Sequence, residues 1–119
     1  LTQQSNFSPS DKPIVLLINE QSLSDAEMTA QGFKALKLGT IIGNETYRWI
    51  IFTSGVGLVD GSSVRMPGWG CYSLDGKDLE MSGVQPDIKI INSFEDKING
   101  RDPQVDKAVD EILKQLGKK

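Results

Sequence analysis

Pro13-Ile14-Val15-Leu16-Leu17-Ile18-Asn19-Glu20-Gln21-Ser22-Leu23-Ser24-Asp25-Ala26-Glu27 runs from an apolar stretch directly into a helix-start signal. Pro13 to Ile18 is bounded by breakers and does not alternate, as expected of a strand buried on both faces of a parallel sheet. Asn19 and Glu20 end it. Ser24-Asp25-Ala26-Glu27 then fits the S-x-x-E capping box, and Asp25 adds negative charge to the first turn. The pattern predicts a helix from Ser24 to about Lys37, with Ala26, Ala30 and Phe33 on its apolar face and Leu36 at the edge. Gly39 is the expected stop. Thr40 to Gly43 supplies a second short strand, so the stretch reads as a right-handed βαβ unit.

Further along, Trp49 to Thr53 is a strand candidate, and Ser62 to Met66 pairs with it across an Asp60-Gly61 turn. Pro67-Gly68-Trp69-Gly70 is expected to bend the chain. Cys71 to Leu74 reads as a short strand before the turn at Asp75-Gly76, and Ile88 to Ile91 as another after Pro86-Asp87. The last helix is the clearest. Asp102 is its N-cap, Pro103 its first position, and Gly117 its end. Val105, Ala108, Val109, Ile112, Leu113 and Leu116 mark its apolar face, and Lys118-Lys119 reads as a solvated tail. Residues 1–12, with the turn-like Ser8-Pro9-Ser10-Asp11, read as a loop or linker remnant.

The 119 residues suffice for one domain. A net charge of -3 and a pI near 4.9 argue against a nucleic-acid partner, which calls for a basic face. No apolar run approaches the roughly 20 residues that cross a bilayer. Leu1 to Lys12 shows no signal-peptide order. Cys71, the one cysteine, reads as a small buried apolar residue and excludes a cysteine-clustered zinc site. The histidine count is 0, so neither a Ser-His-Asp triad nor a histidine metal site can be completed within this chain.

A serine hydroxyl needs a base to take its proton and donors for the oxyanion. Ser24, between a strand end and a helix start, has the second within reach. The first N–H groups of a helix lack intrahelical partners, and the amide of Asp25 directly follows the serine. On local pattern alone Ser24 reads first as a cap with Glu27 as its box partner. One Oγ cannot both cap tightly and attack. Glu80, before the Gly83 and Pro86-Asp87 turns, reads locally as a solvated charge.

Taken together these segments resemble a family. Asn19-Glu20-x-Ser22-x-Ser24-Asp25-Ala26-Glu27 with Ile41-Ile42-Gly43-Asn44-Glu45-Thr46 is similar to the catalytic segment of the tail-specific, or C-terminal processing, serine proteases. Asp75-Gly76-x-x-Leu79-Glu80-x-x-Gly83-Val84-x-Pro86-Asp87-Ile88 resembles the segment that closes that domain. Asp102 to Ala108 resembles its final helix. The processing branch uses a lysine base in the region matching Tyr47 to Ile51. Here that region holds Arg48 and Trp49, and arginine stays protonated. The tricorn-core branch fits better. Its tetrad has an upstream Ser and His, the nucleophilic Ser and a late Glu.

The resemblance implies that Ser24 is the nucleophile, Asp25 an oxyanion-hole amide and Glu80 the late Glu. It implies a layered, crotonase-like ββα core within an α/β fold. Here that means a partial domain with one βαβ unit, an irregular β segment and a C-terminal helix, residues 13–117 forming the C-terminal half of a peptidase core. The upstream Ser-His pair would lie before Leu1, so the isolated chain is expected to be inactive. Expected partners are a peptide or protein substrate, the upstream half of the same domain and, through an uncovered apolar face, a second copy. No cofactor or metal is implied. A bacterial source, and a periplasmic or exported location ahead of a cytoplasmic one, also follow from the resemblance. A non-catalytic peptide- or ligand-binding module on the same fold is the competing function.

Overall fold

The computed structural model describes residues 12–117; the linker segment read over 1–12 lies outside it apart from Lys12, as does the Lys118-Lys119 tail. Its first unit is β1 (Val15–Ile18), α1 (Asp25–Ala35) and β2 (Thr40–Gly43). β1 and β2 pair in parallel, Leu16 opposite Ile41 and Ile18 opposite Gly43. This is the expected βαβ unit. A two-residue β5 (Ile88–Lys89) adds in parallel on the far side of β2, giving the order β1-β2-β5. Asp87 assists beyond the turn role expected of it: its carboxylate accepts from Ile41 N–H at 2.9 Å, and its own N–H donates to Ile41 O at 2.8 Å.

The core sits between this sheet and α1. Ile18, Ala30, Ile41 and Val84 are buried together, with Leu16 and Phe33 against them. A further helix, α3 (Pro103–Gln115), also packs on β1 and β2. Being central, β2 buries both Ile41 and Ile42 completely. β1 is an edge strand, so the expected burial on both faces is only partial, and Leu17 is 39% exposed. Gly43 ends β2 at φ +136°, and a Cβ there would lie 1.8 Å from Ile18 O. Only glycine lets β1 and the chain leaving β2 approach so closely.

The faces expected of the helices hold in part: Ala30 and Phe33 of α1 and Ala108 of α3 face the core, and the other positions are corrected. In α1 the fully buried residues are Ala30 and Glu27, whereas Ala26 and Leu36 are exposed. The helix stops before Gly39. Lys37 takes the left-handed φ of +52°, Lys37 N–H reaches Lys34 O at 3.1 Å, and Leu38 N–H reaches Phe33 O at 3.2 Å. That is a Schellman end with lysine in the glycine position. In α3 the Asp102 cap and Pro103 are as expected, but the buried positions are Gln104 and Ala108. Gln104 fixes this rotation by donating from its side chain to Ile90 O at 2.8 Å. Val105 and Val109 are left 42% and 50% exposed.

The irregular segment differs most. The hairpin forms, but as β3 (Phe52–Gly57) with β4 (Ser63–Trp69), three residues later at its start than read from Trp49. Pro67-Gly68-Trp69 continues β4 rather than bending it. Both strands of a two-stranded ribbon are edges, where a missing N–H is tolerated, and a bulge between Phe52 and Thr53 absorbs the irregularity. Cys71 to Leu74 contributes only a bridge between Tyr72 and Asp78, because no neighbouring strand is there to extend it. Cys71 itself is half-buried. A short helix, α2 (Phe94–Ile98), is capped by Ser93, whose Oγ accepts from Asp96 N–H at 3.1 Å. It is too short for periodicity to reveal.

Replacing Gly43 by Ala should lower unfolding stability by more than about 3 kcal/mol through backbone strain and the clash with Ile18 O. Gly57→Ala, where a Cβ meets nothing within 4 Å, should change it by less than about 1 kcal/mol. Urea denaturation of the purified variants decides; equal midpoints would refute the packing described for Gly43.

Candidate active site

Between β1 and α1 the chain makes a tight, polar turn. Asn19 Oδ1 accepts from Gln21 N–H at 2.9 Å, and Ser22 N–H donates to Asn19 O at 2.9 Å. Ser24 follows at the N-cap with φ 53° and ψ -116°. That conformation is unfavourable for any residue with a Cβ and costs about 1–3 kcal/mol. It persists because both ends are held. Tyr47 N–H donates to Ser22 O at 2.9 Å, and Ser24 N–H donates to Glu27 Oε1 at 3.2 Å.

The Glu27 carboxylate is the anchor of the region. It is wholly buried, 0% exposed, and every lone-pair direction it offers is used. Oε1 accepts from Ser24 N–H and from Trp49 N–H at 2.8 Å. Oε2 accepts from Arg48 N–H at 2.8 Å and from the Thr46 hydroxyl at 2.5 Å. Thr46 Oγ1 in turn accepts from Val84 N–H at 2.8 Å. One side chain thus joins the α1 start, the loop 46–49 and the segment before β5. The sequence showed Glu27 only as half of a capping box. Its reach into loop 46–49 depends on tertiary placement that no local pattern carries.

This arrangement bears on the competition for the Ser24 hydroxyl. Oγ is within capping-box reach of Glu27 N–H, yet it makes no capping hydrogen bond, because that N–H donates to Ser24 O at 2.9 Å. Glu27 meets the backbone demand of the helix start, and among the described residues Oγ makes no hydrogen bond. Among the described residues the Asp25 N–H also donates no hydrogen bond, as expected at the first helical position.

Ser24 and Glu80 line the same cleft, of about 510 Å³, with Leu23, Trp49, Ile51, Thr53, Arg65 and Pro67. The structure therefore brings two of the sequence-derived residues to one site. No hydrogen bond joins them; Glu80 is exposed, and its N–H donates to Asp78 Oδ1 at 2.9 Å. The lining contains neither lysine nor histidine. Arg48 sends its guanidinium to the Glu45 carboxylate at 3.0 and 2.5 Å. That contact holds the Glu45 carboxyl below its ordinary pKa and raises the Arg48 guanidinium further above its own. A second, apolar cleft of about 320 Å³ lies between α1 and residues 71–79 and includes Cys71, but neither Ser24 nor Glu80. Among the described residues no group of His, Cys, Asp and Glu could hold a metal, and no helix is long and apolar enough to cross a membrane.

Residues 2–90 match the profile of Peptidase family S41. The chain is 38% identical over 118 residues to a tricorn-like protein of Sulfurisphaera tokodaii, covering 95% of this chain and 14% of that one. It is 32% identical over 85 residues to the chloroplastic C-terminal processing peptidase of Tetradesmus obliquus, covering 71% of this chain and 18% of that one. The crystal structure of the tricorn protease superposes with a TM-score of 0.83 at 31% identity, over 89% of this chain and 11% of that one. The chain thus spans between a tenth and a fifth of the length of these relatives. The relatives come from bacteria, such as Streptomyces coelicolor, and also from Sulfurisphaera tokodaii and a chloroplast, so they do not point to a bacterial source alone.

Glu27→Ala should destabilise the chain by about 3–5 kcal/mol, since it strands several donors in a dry region. Glu27→Gln should cost less, because one acceptor survives. Urea midpoints for the two variants test this. A cost below about 1 kcal/mol for Glu27→Ala would contradict the anchoring role.

Proposed function

The chain belongs to peptidase family S41, and from that premise we propose that Ser24 is the nucleophile of a serine peptidase of the tricorn-core branch. One observation carries the reading: Ser24 occupies a strained N-cap turn with its hydroxyl uncommitted, in the cleft that also holds Glu80. Strain of this kind is concentrated at functional sites, and a serine on a sharp strand-to-helix turn presents its Oγ outward.

The chemistry is acyl transfer. Ser24 Oγ attacks the carbonyl carbon of the peptide bond while a histidine takes its proton. The Asp25 N–H donates to the oxyanion. The tetrahedral intermediate collapses, the C–N bond breaks, and the departing amine receives the proton from the histidine. Water then cleaves the acyl-enzyme by the same route. The histidine and the serine that orients it come from outside these 119 residues, whose histidine count is 0. Glu80 acts as a positioning residue toward that serine. In this reading residues 13–117 are the C-terminal half of a crotonase-like layered core. The exposed apolar positions on α3, Val105 and Val109 among them, are then the surface met by the other half or by a second copy.

The test is peptide hydrolysis by the full-length product of the gene encoding this chain. Ser24→Ala should reduce kcat/KM by at least about 10⁴-fold, and Glu80→Gln by roughly a hundredfold. The 119 residues alone should give no hydrolysis. Turnover that survives Ser24→Ala, or hydrolysis by the isolated chain, would overturn the assignment. Activity of Glu80→Gln equal to wild type would remove Glu80 from it. No turnover and no reaction of Ser24 with a serine-directed reagent would make the chain a non-catalytic binding module.

A further inference from the structure

We propose that Arg65 is a specificity residue of the Ser24 cleft, selecting peptides that carry an acidic side chain close to the bond cleaved. The proposal rests on the peptidase reading above and adds the substrate class.

The chain's arginines are Arg48, Arg65 and Arg101. Arg48 pairs with Glu45, and Arg101 with Asp96 and Glu95. Among the described residues Arg65 has no carboxylate within ion-pair distance, although acids outnumber bases in this chain, 16 to 13. It lines the cleft with Ser24 all the same. Glu80 lines it too, but forms no ion pair with Arg65.

The guanidinium is placed rather than loose. Arg65 stands opposite Gly55 in the hairpin, where no side chain blocks it. It leans across to Thr53, its diagonal neighbour, donating to Thr53 Oγ1 from Nε at 3.1 Å and from Nη2 at 2.7 Å. Thr53 and Pro67 are also part of the lining, so this hairpin face forms a wall of the cleft. Two donors are spent on Thr53 out of five. The remaining donors have no hydrogen-bond partner among the described residues and suit a carboxylate, with the fork geometry arginine brings to it. Trp49, Ile51 and Leu23 add apolar surface to the same lining.

The test separates binding from catalysis. Full-length protein carrying Ser24→Ala is titrated with acetyl-Ala-Ala-Glu-Ala-amide, its Gln counterpart, and acetyl-Ala-Ala-Gln-Ala with a free carboxyl terminus. Tryptophan emission reports occupancy, since Trp49 lines the cleft. The Glu peptide should bind at least about tenfold tighter than its Gln counterpart, as a charge-assisted contact gives. Arg65→Gln should bring that ratio to about one, and Arg65→Glu should reverse it for a Lys peptide. A preference for the free-carboxylate peptide instead would assign Arg65 to the chain terminus and overturn the side-chain proposal. Equal binding of all three by the Arg65 protein would leave Arg65 a charge protecting the hairpin edge, and overturn it as well. Wild-type protein is assayed for hydrolysis in parallel. Turnover through Ser24 without acid preference refutes the Arg65 assignment alone; absent turnover with acid-selective binding refutes the peptidase reading alone.

Discussion

A single buried carboxylate sets the geometry of the candidate site. Glu27 accepts from Ser24 N–H, Trp49 N–H, Arg48 N–H and the Thr46 hydroxyl, and has no contact with water. A buried carboxylate is costly unless its acceptor capacity is used. Here the surrounding backbone is ordered by that demand. Loop 46–49 cannot drift from the start of α1 without stranding the carboxylate, and Arg48 is held at φ +75° beside it. The strain at Ser24 is sustained in the same way. A local cost of about 1–3 kcal/mol is offset by several hydrogen bonds in a dry region, each about 1 kcal/mol net and more when broken singly.

From this anchor the layout of the cleft follows. The βαβ unit places Ser24 at the end of β1 and the start of α1. Loop 46–49 delivers Trp49, and the chain then runs into the hairpin that carries Thr53, Arg65 and Pro67 to the same cleft. Glu80 arrives from the loop before Val84, whose N–H is tied to Thr46 and so back to Glu27. A charged network at the core of the site therefore fixes elements that a three-stranded sheet alone would hold weakly.

The sequence disclosed some of this and concealed the rest for identifiable reasons. The apolar run to Ile18 and the capping-box signal gave β1, α1 and β2 at nearly their true bounds, because short-range periodicity and cap chemistry decide those elements. Asp102-Pro103 gave α3 in the same way. The hairpin start, the fate of Pro67-Gly68-Trp69 and the short α2 were misread or missed. They depend on pairing partners and on spans too short to show a period. Ala30 and Phe33 of α1 face the core as its pattern implies, but Glu27 beside them and Gln104 of α3 are polar residues buried through specific hydrogen bonds, which apolar periodicity does not reveal. At the site, Ser24 and Glu80 came from the family resemblance and share one cleft. Arg65 gave no signal, since an isolated arginine in a strand looks like any solvated charge.

The strained, uncapped hydroxyl at the head of α1 is the group whose reactivity decides the function of the cleft. Mass-spectrometric mapping after treating the full-length protein with a fluorophosphonate measures that directly. The account predicts one stoichiometric adduct, on Ser24, whose formation slows markedly when Glu27 is replaced. An adduct on a different serine, with Ser24 unmodified in protein that hydrolyses peptides, would contradict it.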